Sequence, residues 1–221
     1  MALPGRKVAG TVVAAAGALI PLLFTWQAGD HLLAAMTAAT LLGALYFLFS
    51  VKEIKTSATE FALVASGLLY VPLLLGHLVL ARELLHGIQW IFLLLVLVMS
   101  GDTGAYYVGS SLGRTKLYPL VSPNKSIEGA AGGLAGSLVG AFIARLTFFP
   151  ELAVTDCLLT ALLIGPLGQM GDLFESLLKR SFGVKDSGSI IPGHGGMLDR
   201  LDSILFAAPA LYYYARYLFA G

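Results

Sequence analysis

Apolar residues in this chain come in blocks about as long as a lipid bilayer is thick, and the polar residues are pressed into the gaps between them. A helix needs about 20 mostly apolar residues to cross the hydrocarbon core. Seven blocks approach that length: Val8–Trp26, His31–Phe49, Phe61–Leu80, Ile88–Val108, Ala130–Phe149, Cys157–Leu178 and Leu201–Phe219. The connections near Gly29, at Ala81–Gly87 and at Pro150–Thr155 are short, whereas Gly109–Gly129 and Lys179–Arg200 are long and polar. Long loops in a compact bundle are more often functional than filler. The pattern predicts an all-α fold, a polytopic transmembrane helical bundle of about seven spans. Residues 1–221 read as a single membrane-embedded domain, with amino-terminal spans in 1–87 and the core that carries the chemistry in 88–221.

Composition agrees with a bilayer environment. Of the 221 residues 57% are hydrophobic and only 12% charged, against about 25% charged in soluble domains. Mean hydropathy is +0.82. A net charge of +1 gives no bulk attraction to nucleic acid, and one cysteine, Cys157, excludes an intrachain disulfide framework. Arg6 and Lys7 precede the first block, which is too long for the apolar stretch of a secretory signal and lacks a following small-residue cleavage site, so it is expected to stay as a first helix.

Charge distribution sets the expected orientation. Cytoplasmic loops are enriched in lysine and arginine. With the amino terminus in the cytoplasm, a seven-span layout leaves only Arg82, Arg145 and Arg216 on the other face and sends the remaining eleven of the 14 basic residues to the cytoplasmic side. Both long polar loops then face the cytoplasm. Gly129, Gly132, Gly133, Gly136 and Gly140 give the fifth block small-residue spacing suited to close helix packing.

The densest chemistry lies in Ser176–Asp202, SLLKRSFGVKDSGSIIPGHGGMLDRLD, between two apolar blocks. Charged groups beside a bilayer are costly unless partnered or functional. Asp172 and Glu175 are three residues apart, and Lys179 follows on the same helical face. An ion pair with Lys179 and a divalent-cation site are both open readings, since Mg²⁺ takes one or two carboxylates plus substrate phosphates. Asp199 and Asp202 repeat the spacing at the start of the last block, where acidic residues also serve as helix caps. A glycine-rich return loop can bring the two carboxylate pairs together. Lys179, Arg180, Lys185 and Arg200 supply charge suited to a triphosphate, and His194 within Pro192–Gly196 reads as a substrate contact or loop-orienting group. In the other long loop, Asp102 falls within membrane depth, and Lys125, among the turn formers Ser122 and Asn124, reads as a phosphate contact. Ser126, Glu128 and Gly129 could equally cap the following helix.

These residues resemble the signature of the phosphatidate cytidylyltransferase (CDP-diacylglycerol synthase) family. The matching elements are Ser176, Lys179-Arg180, Lys185-Asp186, Pro192 with His194-Gly195-Gly196, and Asp199-Arg200-Leu201-Asp202. Two further blocks are similar, Asp102–Tyr106 and Ser122–Gly129, and the likeness extends over about Val71–Phe206. Ser126 stands where the family often has threonine.

The resemblance implies transfer of CMP from CTP to phosphatidate, giving CDP-diacylglycerol and pyrophosphate, in phospholipid biosynthesis. It implies Mg²⁺ as cofactor and a second cation, K⁺ or Mg²⁺. Asp172 and Asp199 would be the principal metal carboxylates, with Asp102, Glu175 and Asp202 completing the centre, and Lys179, Arg200 and His194 would join the catalytic set. Ser122, Asn124, Lys125, Ser126, Glu128, Arg180, Lys185, Asp186, Gly195 and Gly196 would contact substrate. CTP, phosphatidate and membrane lipids are the expected partners, with no nucleic acid and room for a homodimer. The expected location is the bacterial inner membrane, with the site facing the cytoplasm. Two other readings compete: a CTP-dependent enzyme acting on a different lipid, and a cation transporter using Asp102, Asp172 and Asp199.

Overall fold

The computed structural model describes residues 32–49, 54–188 and 196–219. The chain divides into two compact units, one ending at Glu83 and the other beginning at Leu84. In the first, helix α1 (Leu32–Phe49) is followed by α2 (Ile54–Leu68), a π-helical turn (Leu69–Leu73) and α3 (Leu74–Arg82). Pro72 lies inside the π turn. It has no N–H to give to the helical ladder, and the wider turn lets the chain run on as one apolar span, Ser57–Arg82.

The second unit holds α4 (Gly87–Leu112), a hairpin of β1 (Lys116–Tyr118) and β2 (Ser122–Ser126), then α5 (Ile127–Thr147), α6 (Val154–Ser181) and α7 (Leu198–Tyr217). The hairpin is antiparallel, pairing Lys116 with Ser126 and Tyr118 with Ser122 across an irregular register. It is an addition to the all-α expectation. Its second strand reads Ser-Pro-Asn-Lys-Ser, without apolar alternation and with a proline that strands admit only at edges.

Glycines set the spacing of α4 and α5. A Cβ on Gly104 would stand 2.4 Å from the Gly132 carbonyl oxygen, and one on Gly136 would stand 2.3 Å from that of Ser100. The two backbones therefore touch, and Ser137 Oγ donates to Leu97 O at 3.0 Å across the seam. A similar approach joins α6 to α7, where a Cβ on Gly171 would meet Asp202 O at 2.4 Å. At the opposite end, Trp90 packs edge-on against Phe149 (4.9 Å) and Phe219 (5.0 Å). There Tyr214 Oη donates to Asp156 Oδ1 at 2.5 Å, and Asp156 Oδ2 accepts from the Ala153 N–H at 2.8 Å, which fixes the start of α6.

Four helices among the described residues are long and apolar enough to cross a membrane: Ser57–Arg82, Gly87–Leu112, Ile127–Thr147 and Val154–Ser181. They correspond to the third to sixth expected spans, so the chain is a polytopic, mainly helical membrane protein. The count of about seven is corrected to four within the described residues. The first expected span lies outside them. The second forms α1, within which Thr37–Tyr46 is the described apolar stretch. The last forms α7, which begins with Asp199, Arg200 and Asp202 and carries four tyrosines and Arg216 toward its end, too polar for a span by composition. Successive helices of the second unit alternate in direction, so the hairpin, the end of α6 and the start of α7 lie at the same end.

Candidate active site

One face of α4, the hairpin, the first turn of α5 and the middle of α6 enclose a cleft of about 430 Å³. Asp102, Tyr106 and Gly109 line its α4 wall, at spacings that place them on one side of a helix. Asn124, Lys125 and Ser126 come from β2, and Gln169 and Asp172 from α6. Apolar wall is supplied by Ala105, Leu117 and Ala130. The cleft thus gathers five residues expected from sequence: Asp102, Asn124, Lys125, Ser126 and Asp172.

Local hydrogen bonds explain why the hairpin presents them. Ser126 Oγ accepts from the Gly129 N–H at 3.1 Å and caps α5. The Glu128 carboxylate accepts from the backbone N–H groups of Arg114 and Thr115, each at 3.1 Å. The Ile127 N–H bonds Thr115 O at 2.9 Å. Glu128 therefore ties the hairpin base to α5 and does not line the cleft, and Ser122 sits opposite Tyr118, also off the lining.

Lys125 Nζ lies 2.5 Å from Asp172 Oδ2. Asp102 feels the charges of Asp172 and Lys125, and Asp202 feels those of Asp172, Asp102 and Lys125. Three carboxylates and one lysine thus form one electrostatic group. A second group sits toward the end of α6. Glu175 is completely buried, with the Lys179 ammonium as its ion-pair partner. Lys179 Nζ also donates to Asp199 Oδ1 at 2.7 Å.

Asp199 is the hub of the following loop. Its Oδ2 accepts from the Ser187 N–H (2.9 Å), Ser187 Oγ (2.8 Å) and the Gly196 N–H (2.7 Å). With Lys179 these donors occupy about the four lone-pair sites of a carboxylate. Burial alone would raise its pKa, but Lys179, the Gly196 N–H and Ser187 outweigh that effect and hold it well below the usual carboxylate range. A Cβ on Gly196 would stand 2.3 Å from Ser187 Oγ, so the clasp needs glycine there.

The expected common centre of Asp102, Asp172, Glu175, Asp199 and Asp202 is thus divided between two groups, each holding a lysine. Among the described residues no three His, Cys, Asp or Glu side chains converge closely enough to hold a metal ion. Arg180, Lys185, Asp186 and Arg200 are exposed at the same end of the unit. His194 and Gly195 lie outside the described residues. Tyr106, the end of the Asp102–Tyr106 block but given no role there, lines the cleft, as do Ser110 and Gln169, which the sequence leaves without a role. Their signal is spacing: Tyr106 is four residues from Asp102, and Gln169 is three from Asp172. Gln169 Nε2 is held on α5 by Ala130 O at 3.1 Å.

The chain is similar to three proteins named phosphatidate cytidylyltransferase. It is 44% identical over 155 residues to that of Bacillus subtilis, covering 70% of this chain and 58% of the relative. It is 42% identical over 137 residues to that of Staphylococcus saprophyticus, covering 62% and 53%. It is 48% identical over 127 residues to that of Staphylococcus aureus strain COL, covering 57% and 48%. The chain spans about half the length of the curated relatives it matches. The family model described as "Cytidylyltransferase family" matches residues 3–218. Because that match runs over nearly all of the polypeptide, the chain belongs to the cytidylyltransferase family.

Proposed function

We propose that this protein transfers CMP from CTP to phosphatidate, forming CDP-diacylglycerol and pyrophosphate at the cytoplasmic face of a bacterial cell membrane. The observation that carries this reading is the 430 Å³ cleft, which sets Lys125, Asp172 and Asp102 between apolar helices at the loop-bearing end of the unit. A lipid phosphate and a water-soluble triphosphate can both reach such a place. The names of the relatives support the reaction, and within the second unit the gathering of Arg114, Lys116, Lys125, Lys179, Arg180, Lys185 and Arg200 at the loop-bearing end, against Arg145 and Arg216 at the other, supports the orientation.

The chemistry asks for little acid–base work. An oxygen of the phosphatidate phosphate attacks the α-phosphorus of CTP, and the bond from that phosphorus to the bridging oxygen of pyrophosphate breaks. The nucleophile is already anionic. The task is to bring two polyanions together in line and to stabilise charge on the leaving group. Lys125 would exchange Asp172 for a substrate phosphate, and the exposed Arg180, Lys185 and Arg200 would steer and hold the triphosphate.

The donor set fits Mg²⁺ by its chemistry. Asp102, Asp172 and Asp202 offer hard carboxylate oxygens in a group with one lysine, and Mg²⁺ takes one or two carboxylates with phosphates and waters. Asp172 would be the principal ligand, with Asp102 and Asp202 beside it; a second cation, K⁺ or Mg²⁺, would draw on the same carboxylates. Asp199 would join only by giving up one of its protein donors. When bound, Mg²⁺ would offset the negative charge of the two phosphates.

Purified protein supplied with CTP, Mg²⁺ and phosphatidate should release pyrophosphate and yield a CDP-lipid. Failure with phosphatidate but turnover with another lipid acceptor would move the assignment to a related CTP-dependent enzyme.

A further inference from the structure

We infer that Tyr106 and Asn124, at the α4–hairpin side of the cleft, form the subsite for the nucleobase; this rests on the reading of the substrate as CTP. The helix and strand geometry orders the cleft. Along α4, Asp102 lies one turn deeper than Tyr106, and Ser110 lies a further turn toward the loop end. Asp102, Lys125 and Asp172 mark the charged floor, where phosphates are expected. A nucleotide entering from the loop end with its phosphates on that floor leaves its base beside Tyr106 and Asn124.

The chemistry at that level suits a base and does not suit a phosphate. Tyr106 is 70% exposed on a wall of the cleft, offering a ring face that any base can stack upon. Asn124 is exposed on β2 and lines the same space. Its amide carries both donors and an acceptor, the complement of a pyrimidine edge that presents an amine beside a ring nitrogen. Leu117 on β1 adds apolar wall to the same cleft. The neighbouring Tyr107 is equally exposed but lies off the lining, as expected for a tyrosine that only sits at the membrane–water interface. The two rings also meet edge-on with centroids 5.5 Å apart, so Tyr107 controls for the loss of a neighbouring ring that does not itself line the cleft.

The test separates base from phosphates. CTP and inorganic triphosphate are titrated by equilibrium binding against detergent-solubilised protein in Mg²⁺. In wild-type protein CTP should bind more tightly than triphosphate. Tyr106→Ala should weaken CTP about tenfold, the scale of one lost base–aromatic stack, and Asn124→Leu should weaken it as well. Both variants should leave triphosphate binding within about twofold. Tyr106→Phe should restore most of the lost CTP affinity, and Tyr107→Ala should leave the CTP-to-triphosphate ratio unchanged. Equal weakening of both ligands, or an unchanged ratio in Tyr106→Ala and Asn124→Leu, would overturn the subsite. Selective weakening of CTP in a protein that makes no CDP-lipid would keep the subsite and sink the transfer reaction instead.

Discussion

Lys125 on the hairpin and Asp172 on α6 meet across the cleft, with Nζ 2.5 Å from Oδ2. The contact joins the first long polar loop to the sixth apolar block, between residues 47 positions apart in the numbering. Both side chains are part-exposed, at 28% and 34%, and pairs of that kind contribute at most about 1 kcal/mol. The pair therefore adds little to folding and leaves both groups available to a ligand.

The first prediction follows. Lys125→Met should leave the solubilised protein monodisperse and change its thermal midpoint by only a few degrees. CMP transfer should fall by about a hundredfold, the scale of losing one donor to developing negative charge. Asp172→Asn should also keep the fold, lose most turnover, and need more Mg²⁺ for what remains. A drop in folded yield that matches the drop in rate would make the pair structural.

Asp199 predicts a different outcome. Its carboxylate closes the loop by binding Ser187 and Gly196 and is anchored by Lys179, whose other partner is the buried Glu175. Asp199→Asn should lower thermal stability and expose the peptide bonds at Ser187 and Gly196 to protease, as well as reduce turnover. The lowered pKa sets the pH dependence. A depressed carboxylate contributes stability above its unfolded pKa, and that contribution is lost as pH falls through the folded value. The clasp should therefore survive mild acid, with no extra proteolysis between about pH 7 and pH 5. Nicking that rises across that interval would refute the clasp.

Much of this arrangement was legible in the sequence, for reasons that differ by residue. Asp102, Lys125 and Asp172 stand out because charge near a bilayer needs a reason. The polytopic helical class follows from block length. The hairpin was not legible, because Ser-Pro-Asn-Lys-Ser has neither alternation nor strand propensity and is held by Glu128 and the Thr115 carbonyl. Two lysines also divide the carboxylates. Spacing shows that Asp172, Glu175 and Lys179 share a face, but it does not tell that Lys179 turns to Asp199 while Asp172 is met by Lys125 from the hairpin.

The seam between α4 and α5 makes a packing prediction. Adding one methyl at Gly104 brings it to 2.4 Å from the Gly132 carbonyl oxygen, which is backbone and cannot swing away. Gly104→Ala should therefore cost about 1–3 kcal/mol, the usual penalty of overpacking, seen as a lower thermal midpoint. The cleft wall would shift with it, so CTP and triphosphate should weaken together, unlike the base-selective loss expected for Tyr106→Ala. Unchanged stability would mean the helices are further apart.

The last prediction concerns orientation. In the second unit the helices alternate in direction, which places Lys116 and Lys185 at one end and Glu151 at the other. Basic loops stay in the cytoplasm, and the lysine-bearing end carries the site. Single cysteines at these exposed positions can be read in sealed, right-side-out vesicles, because the native Cys157 is buried and should give little background. Lys116→Cys and Lys185→Cys should react only after the vesicles are opened, and Glu151→Cys should react with impermeant maleimide at once. Labelling of Lys116→Cys and Lys185→Cys from different faces would break the shared end on which the cleft depends. Labelling of both from outside would keep the fold and reverse the orientation, leaving the site on the wrong side for cytoplasmic CTP.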